Sequence, residues 1–262
     1  MKIIQRLILI ASFLVINITA NSQILITLLL GDKLNSDGLE FGLDGGINFS
    51  TISGFETNNY AYNFNLGFYF DFRLKNQWYL YTGVLVKSNL GINDLTENDL
   101  NSLGASIYPN LDGIPLVGNY SQKINYFLVP ALIKYKFKNH IYTEIGPQFG
   151  LMYKAWIEFD SDVNGREAII KEDNEDDLNR IDVGFMVGAG YTLFKGTGWT
   201  LGAKYYYGFV DVYKNNSGNK NSSFFLKMNI PIGAGEKAQE KAAEKATKKN
   251  AKKEEKAQGK TD

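Results

Sequence analysis

The sequence predicts an all-β protein: an eight-stranded, antiparallel, up-and-down transmembrane β-barrel with a low-complexity C-terminal tail. Three observations predict it. Apolar residues alternate with polar or small ones at period two in eight separate segments. The connections between those segments alternate between tight and long. The chain opens with a secretory leader, and its remaining apolar content is not gathered into any helical span.

The leader runs over residues 1–22. Lys2 and Arg6 precede an apolar run from Leu7 to Ile16, and Ala20-Asn21-Ser22 offers small residues to a signal peptidase. The run is too short and too polar-flanked to span a bilayer, so a cleaved signal peptide with Gln23 as the mature N-terminus is expected. Residues 23–37 form a short N-terminal periplasmic segment. Its apolar stretch Ile24–Leu30 reads as an extra strand, a plug or a short helix at the membrane face, and the sequence leaves all three open. The 262 residues include no cysteine, so neither a lipid-anchored cysteine nor a disulfide is available.

Barrel strands are expected within residues 38–233. In 39–49, Leu39, Phe41, Leu43, Ile47 and Phe49 alternate with Glu40, Gly42, Asp44, Gly46 and Asn48. Successive side chains of a strand point to opposite faces, so this segment has one oily and one polar face. The same alternation recurs in 62–73, 78–87, 127–137, 141–151, 182–193, 199–209 and 224–232. Each segment is about the length that a tilted membrane strand needs, and an even strand count from eight upward suits such barrels. Abundant Tyr, Phe, Gly and Asn, with scarce Pro and Met, fit the same architecture.

The connections near Leu74–Asn76, Lys138–His140 and Lys195–Gly198 are tight. Those near Ile52–Ala61, Asn89–Tyr120, Ala155–Arg180 and Asp211–Asn221 are long. Short periplasmic turns and long outer loops are the expected asymmetry, which puts both termini in the periplasm. Trp78 and Trp199 each open a strand after a tight turn, and Trp156 lies beyond the opposite end. The three are read as interfacial aromatics in two belts.

Residues 234–262 form a charged Lys/Glu/Ala-rich tail, disordered or marginally helical in the periplasm. Residues 236–262 hold nine Lys against five Glu and one Asp. The part between leader and tail is acidic, 17 Lys and Arg against 22 Asp and Glu, so it offers no basic field for nucleic acid.

The segments Gly38–Gly46, Ile145–Leu151, Asp182–Tyr191 and Tyr205–Phe209 together resemble the PorT-like outer-membrane β-barrel domain family. The resemblance runs from about Gly31 to Ile232 and implies a small bacterial outer-membrane barrel. Some members of that family are implicated in assembling secretion machinery. It carries over no catalytic residue and no ligand. The long charged tail departs from a barrel that ends on an aromatic residue.

The polar face carries both signs of charge. Acidic candidates are Glu40, Asp44, Asp71, Glu144 and Asp182; basic ones are Arg73, Lys87, Lys134, Lys136, Lys204 and Lys227. An eight-stranded barrel is just wide enough for side chains to fill. Unpaired buried charges are costly, so these groups are expected to pair and close the lumen. If the turn Lys138-Asn139-His140 has three residues, Phe137 faces Ile141 and Lys134 lies opposite Glu144, a predicted salt bridge. Asp160, Asp162 and Asn164, with Gly165, have the first half of a calcium loop, but its closing position holds Lys171. The stretch reads equally as an Asx/Gly-rich loop tip, and no metal or other cofactor is assigned.

An enzyme is not expected, since the single histidine, His140, falls in a periplasmic turn and no cysteine is available. The function read here is a monomeric barrel with a structural or interaction role in the cell envelope. It would sit in membrane lipid and meet an envelope protein through its outer loops or its tail. The loop Asn89–Tyr120, with Pro109 and Pro115, is the favoured contact surface. Two alternatives stand: a narrow porin-like channel for small solutes, and a soluble lipocalin-like barrel with its apolar face turned inward around a ligand.

Overall fold

Alternating side chains need two different solvents, and the chain provides them by closing a sheet on itself. The computed structural model describes residues 38–232, apart from 109, 112, 113, 116, 164, 165 and 194–197. The expected leader, the Ile24–Leu30 segment and the tail lie outside the described residues.

The strands are β1 (Leu39–Ile52), β2 (Ala61–Lys75), β3 (Trp78–Ile92), the short pair β4 (Asn110–Leu111) and β5 (Ile114–Pro115), β6 (Asn119–Lys136), β7 (Ile141–Val163), β8 (Arg166–Asp173), β9 (Ile181–Thr192), β10 (Thr200–Asp211) and β11 (Lys220–Pro231). Among the described residues one α-helix, α1 (Glu97–Leu103), follows β3, and a 3₁₀ turn, Glu175–Asp177, follows β8. Eight strands form an antiparallel ring in the order β1-β2-β3-β6-β7-β9-β10-β11, and β11 pairs back onto β1. The ninth strand of the sheet, β8, pairs only with the upper half of β7, Trp156 to Val163. The lower half of β7, Ile141 to Leu151, pairs with β9. Closure removes the unpaired edges that a lipid solvent cannot satisfy.

The tight turns gather at one end of the ring. At the β6–β7 turn the Phe137 amide donates to the Ile141 carbonyl (2.8 Å), and His140 takes a positive φ of 71°. Lys134 therefore stands opposite Glu144 in the ladder. The outward side chains are oily: Phe64, Phe127, Ile145, Phe149, Val187 and Leu201 are all more than a third exposed. On β7 this outward series runs from Ile141 to Tyr153. At a rise of about 3.4 Å and a tilt near 40°, those 12 steps span about 30 Å, a bilayer's hydrocarbon thickness. Among the described residues no helix is long and apolar enough to cross a membrane; here the strands cross.

Two β-bulges end the oily band on one side of the ring. The β2–β3 and β3–β6 ladders slip by one residue at Val86–Lys87, and the β6–β7 ladder slips at Tyr153. A bulge adds one residue and flips the facing of everything beyond it. Lys87, expected in the lumen, is for that reason exposed on the outer wall, while Ser88 turns inward and is buried. Beyond the β7 bulge, Ala155, Ile157 and Phe159 face inward and Trp156 and Glu158 outward.

The long connections are more ordered than their composition suggests. Ala155–Arg180, expected as a loop, is mostly strand: β7 continues to Val163 and returns as β8. The Asn89–Tyr120 connection contains α1, whose Leu100 is buried together with the preceding Leu95. These residues join Ile52, Leu90, Ile92, Ile124, Ile157, Leu178 and Tyr213 in an apolar cluster. The eight strands thus enclose a polar lower lumen, and an apolar cap fills their upper end.

Candidate functional site

Among the described residues, the lower lumen holds the densest set of buried ionised groups. Lys134 Nζ reaches both carboxylate oxygens of Asp71, at 2.9 and 3.0 Å, and lies 3.6 Å from Glu144 Oε2. Lys227 Nζ is 2.8 Å from Glu144 Oε1, and Lys204 Nζ is 3.9 Å from Asp44 Oδ2. Lys136, at the lower rim, adds a second cation to Asp71 at 2.9 Å. The Tyr69 hydroxyl donates to Glu40 at 2.8 Å, and the Tyr81 hydroxyl donates to Asp44. Lys227 and Lys134 stand over the Tyr81 ring, 4.0 and 4.2 Å from its centroid. Tyr81 is thus a hub that accepts cations on its ring face and donates its hydroxyl to a carboxylate.

Strand registry explains the pairings. Glu40 faces Asp71 across β1–β2, a like-charge pair that would destabilise the ladder alone. Lys134 and Lys136 offset it from the far side of the lumen. Lys204 lies beside Gly188, where a Cβ would stand 2.7 Å from Lys204 Cγ. Glycine at that site leaves room for the lysine stem to cross the lumen. Four lysines meet the four carboxylates Glu40, Asp44, Asp71 and Glu144. A balanced, bonded set of this kind is what buried charge requires.

A second polar tier lies above. Asp182 accepts from Asn221 Nδ2 at 3.1 Å, the Ser88 hydroxyl donates to Asn65 at 2.6 Å, and Asn48 Nδ2 donates to the Asn89 carbonyl at 2.9 Å. Asp182 makes no salt bridge among the described residues. Over this tier sits the apolar cap, pinned by Gln122. That side chain accepts from the Tyr213 hydroxyl and from Asn174 Nδ2, both at 2.8 Å.

Helix α1 is tied down by its own start. Thr96 and Asp99 form a capping box. The Asp99 carboxylate accepts backbone N–H groups of Glu56 (2.8 Å) and Thr96 (3.0 Å). Burial raises the Asp99 pKa, but those N–H groups and the Thr96 hydroxyl outweigh it and hold the carboxyl below the usual carboxylate value of 3.8. Glu56 in turn accepts from the Thr96 hydroxyl and Asn98 Nδ2, both at 3.0 Å, so the β1–β2 loop and α1 close as one unit.

Of the residues singled out from sequence, Asp44, Asp71, Lys134, Lys136, Glu144 and Lys204 come together, with Lys227. Glu40 joins through Tyr69. Arg73 does not: it is exposed at the tight-turn end, where its Nε donates to the Asn76 carbonyl at 3.1 Å. Its inward register position lies at the mouth of the ring, past the last luminal partner. Trp78 packs edge-on against Tyr135 at 4.8 Å, and Trp78 and Trp199 are both about half exposed at the tight-turn end. Trp156 lies beyond the oily band, its Nε1 donating to Glu158 at 3.0 Å and Lys171 4.9 Å from its ring centroid. Asp160 and Asp162 sit in the ladder of the β7–β8 hairpin, opposite Ile169 and Glu167, while Asn164 is outside the described residues. An extended ladder lays alternate residues out in a line and does not curl them around an ion. Among the described residues no cluster of three or more His, Asp or Glu side chains gathers to hold a metal.

A closed ring with oily side chains outside and ionised ones inside defines a membrane-spanning β-barrel. The chain belongs to the outer membrane protein beta-barrel domain family, whose sequence model matches residues 31–214. Its place is therefore the bacterial outer membrane. No curated protein matches the chain. Among solved structures it is similar to Ail, the attachment invasion locus protein of Yersinia pestis, in complex with the heparin analogue sucrose octasulfate. That match has 13% identity and a TM-score of 0.41, covering 75% of this chain and all of that one. Neisserial surface protein A (11%, TM-score 0.37, 75% and 98% covered) and OprG from Pseudomonas aeruginosa (11%, TM-score 0.33, 74% and 93% covered) are similar in the same way. These likenesses concern the fold alone. The lipocalin-like alternative is corrected by the facing of the side chains: the apolar face points out and the charged face in, so the interior is no apolar ligand pocket.

Proposed function

We propose that this protein is a closed outer-membrane barrel with a structural or interaction role, and that it does not conduct solutes. One observation carries the reading: the ring is filled twice over, by paired charges in its lower lumen and by an apolar cap above. A permeating solute would have to displace both the Lys134–Asp71–Glu144 cluster and Leu100 with its neighbours. Desolvated ion pairs do not part cheaply, because each half would be left as an uncompensated buried charge.

In this reading residues 1–22 direct export and are removed, the tight turns face the periplasm, and the long connections face outward. The contact surface for an envelope partner is the cap with the β7–β8 hairpin, and the barrel works as a monomer. The narrower PorT-like resemblance, carried by Gly and aromatic strand patterns, belongs to this reading and supports a role in assembly over transport. No catalytic step is included; His140 lies in a turn at the periplasmic end. Liposome swelling tests the proposal. Proteoliposomes of the full chain should swell in small sugars and amino acids no faster than protein-free liposomes. Swelling that grades with solute size would overturn it in favour of the porin-like alternative.

A further inference from the structure

The two bulges do more than end the oily band. Each turns two successive residues outward, first an apolar one and then a lysine: Val86-Lys87 on β3 and Tyr153-Lys154 on β7. Lys123 faces outward on β6, the strand between them. The ladder places Lys123 opposite Gly91 and Trp156, while Asn125 is opposite both Asn89 and Lys154. The three lysines therefore lie on three adjacent strands, with Lys123 on the middle strand furthest up and Lys87 and Lys154 lower on either side, within about 10 Å laterally at a strand spacing of about 4.8 Å. Directly below them, Phe127, Val129, Leu151 and Tyr153 are exposed as hydrocarbon-facing residues.

The charge here opposes that of the body, which is acidic between leader and tail. It is also available. Lys87 has no ion pair among the described residues. Lys123 meets only the neutral Asn93 Oδ1 at 3.3 Å, and Lys154 meets Asp173 at 4.0 Å between exposed side chains. Such surface contacts are worth little and are readily exchanged. Lys171, which could extend the row over Trp156, is engaged with Glu158 at 3.4 Å.

We propose that Lys87, Lys123 and Lys154 form a docking surface for the phosphate groups of an anionic glycolipid in the outer leaflet. Its acyl chains would lie on the apolar strip below. Cationic side chains at the hydrocarbon edge suit a phosphorylated headgroup, since one anion can meet several lysines while its chains stay in the oil. The leaflet assignment rests on the orientation proposed above.

The test uses the full chain in neutral detergent, with retained lipid read by native mass spectrometry. The probes are a phosphorylated lipid A, the same lipid dephosphorylated, and inorganic phosphate. The wild type should retain the phosphorylated lipid about tenfold better than the dephosphorylated one. The Lys87→Gln/Lys123→Gln/Lys154→Gln variant, folded by its heat-modifiable gel migration, should lose that preference. An Arg180→Gln/Lys214→Gln variant, altered at another sector of the same rim, should keep it. Millimolar inorganic phosphate should not displace the lipid. An unchanged preference in the triple variant, an equal loss in the control variant, or displacement by free phosphate would each overturn the proposal. A Lys171→Cys chain in whole cells, treated with a membrane-impermeant maleimide, checks orientation separately. Absent labelling beside an intact phosphate preference would overturn the orientation and the leaflet, and would leave the lysine–phosphate contact standing.

Discussion

The lower lumen and the upper cap fill the same ring by opposite chemistry. Below, Lys134, Lys204 and Lys227 are almost fully buried and held by Asp71, Asp44 and Glu144. Above, Leu90, Ile92, Leu100 and Ile124 are buried among apolar neighbours, pinned by polar contacts such as those of Gln122 and the Asp99 cap. The difference follows from position. The lower lumen is walled by strands whose outer face already supplies the oily surface, so polar groups can fill it if they pair. The cap rises beyond the lipid, where burial of apolar side chains from water is itself a driving force. The lower filling is rigid and specific, and it fails badly if one partner is lost. The upper filling is local and can loosen without opening the ring below.

Removing one half of a luminal pair should have the largest effect. Lys134→Ala leaves Asp71 and Glu144 short of a cation in the barrel interior, and should cost about 3–5 kcal/mol. Urea unfolding in lipid vesicles measures it. Lys134→Met combined with Asp71→Leu should recover much of the loss, since an apolar replacement of a whole buried pair is often neutral. A double variant as unstable as the single one would contradict the pairing.

Next in size, Leu100→Ala should cost about 2–4 kcal/mol, because it opens a void in the cap. The loss should be local. Protease cleavage between β3 and β6 should speed up while the urea midpoint of the barrel stays put. A matching drop in both would mean that cap and lumen unfold as one unit.

A smaller effect should appear on acidification. The folded-state pKa of Asp99 lies below its unfolded value, so the carboxylate contributes stability that is complete above about pH 4. That contribution is lost as pH falls through the lower, folded value. Cap proteolysis by an acid-active protease should therefore rise below about pH 4, and Thr96→Ala, costing about 1 kcal/mol, should bring the rise on more easily. A flat profile would remove Asp99 from the account. Smallest of all, Arg73→Ala should change barrel stability by less than about 0.5 kcal/mol, as suits an exposed side chain outside the luminal set.

The lower lumen was legible in the sequence because one physical rule governs it. Period-two alternation assigns Asp44, Asp71, Lys134, Glu144 and Lys204 to one face, and a three-residue turn sets Lys134 against Glu144. The cap was not legible, for two reasons. A bulge adds one residue with no compositional mark, so Lys87 is misassigned by alternation, and Ile157 and Phe159 fall out of phase with the strand below. The acidic stretch Glu172–Asp177 also reads as a solvated loop. Its strand and 3₁₀ turn are held instead by contacts from far along the chain, such as the Ser106 amide to Glu172 at 3.0 Å and Asn174 to Gln122. Leu95 lies before the seven-residue helix, and within it Leu100 and Leu103 alone make too short an apolar stripe to mark a helix; only the ring beneath them makes them a core.

The closure of the lumen is the central claim, and planar-bilayer recording tests it most directly. Purified full-length protein, inserted at either polarity in molar potassium chloride, should give no current steps above the lipid baseline. Discrete, reproducible steps from the wild-type barrel would contradict the claim.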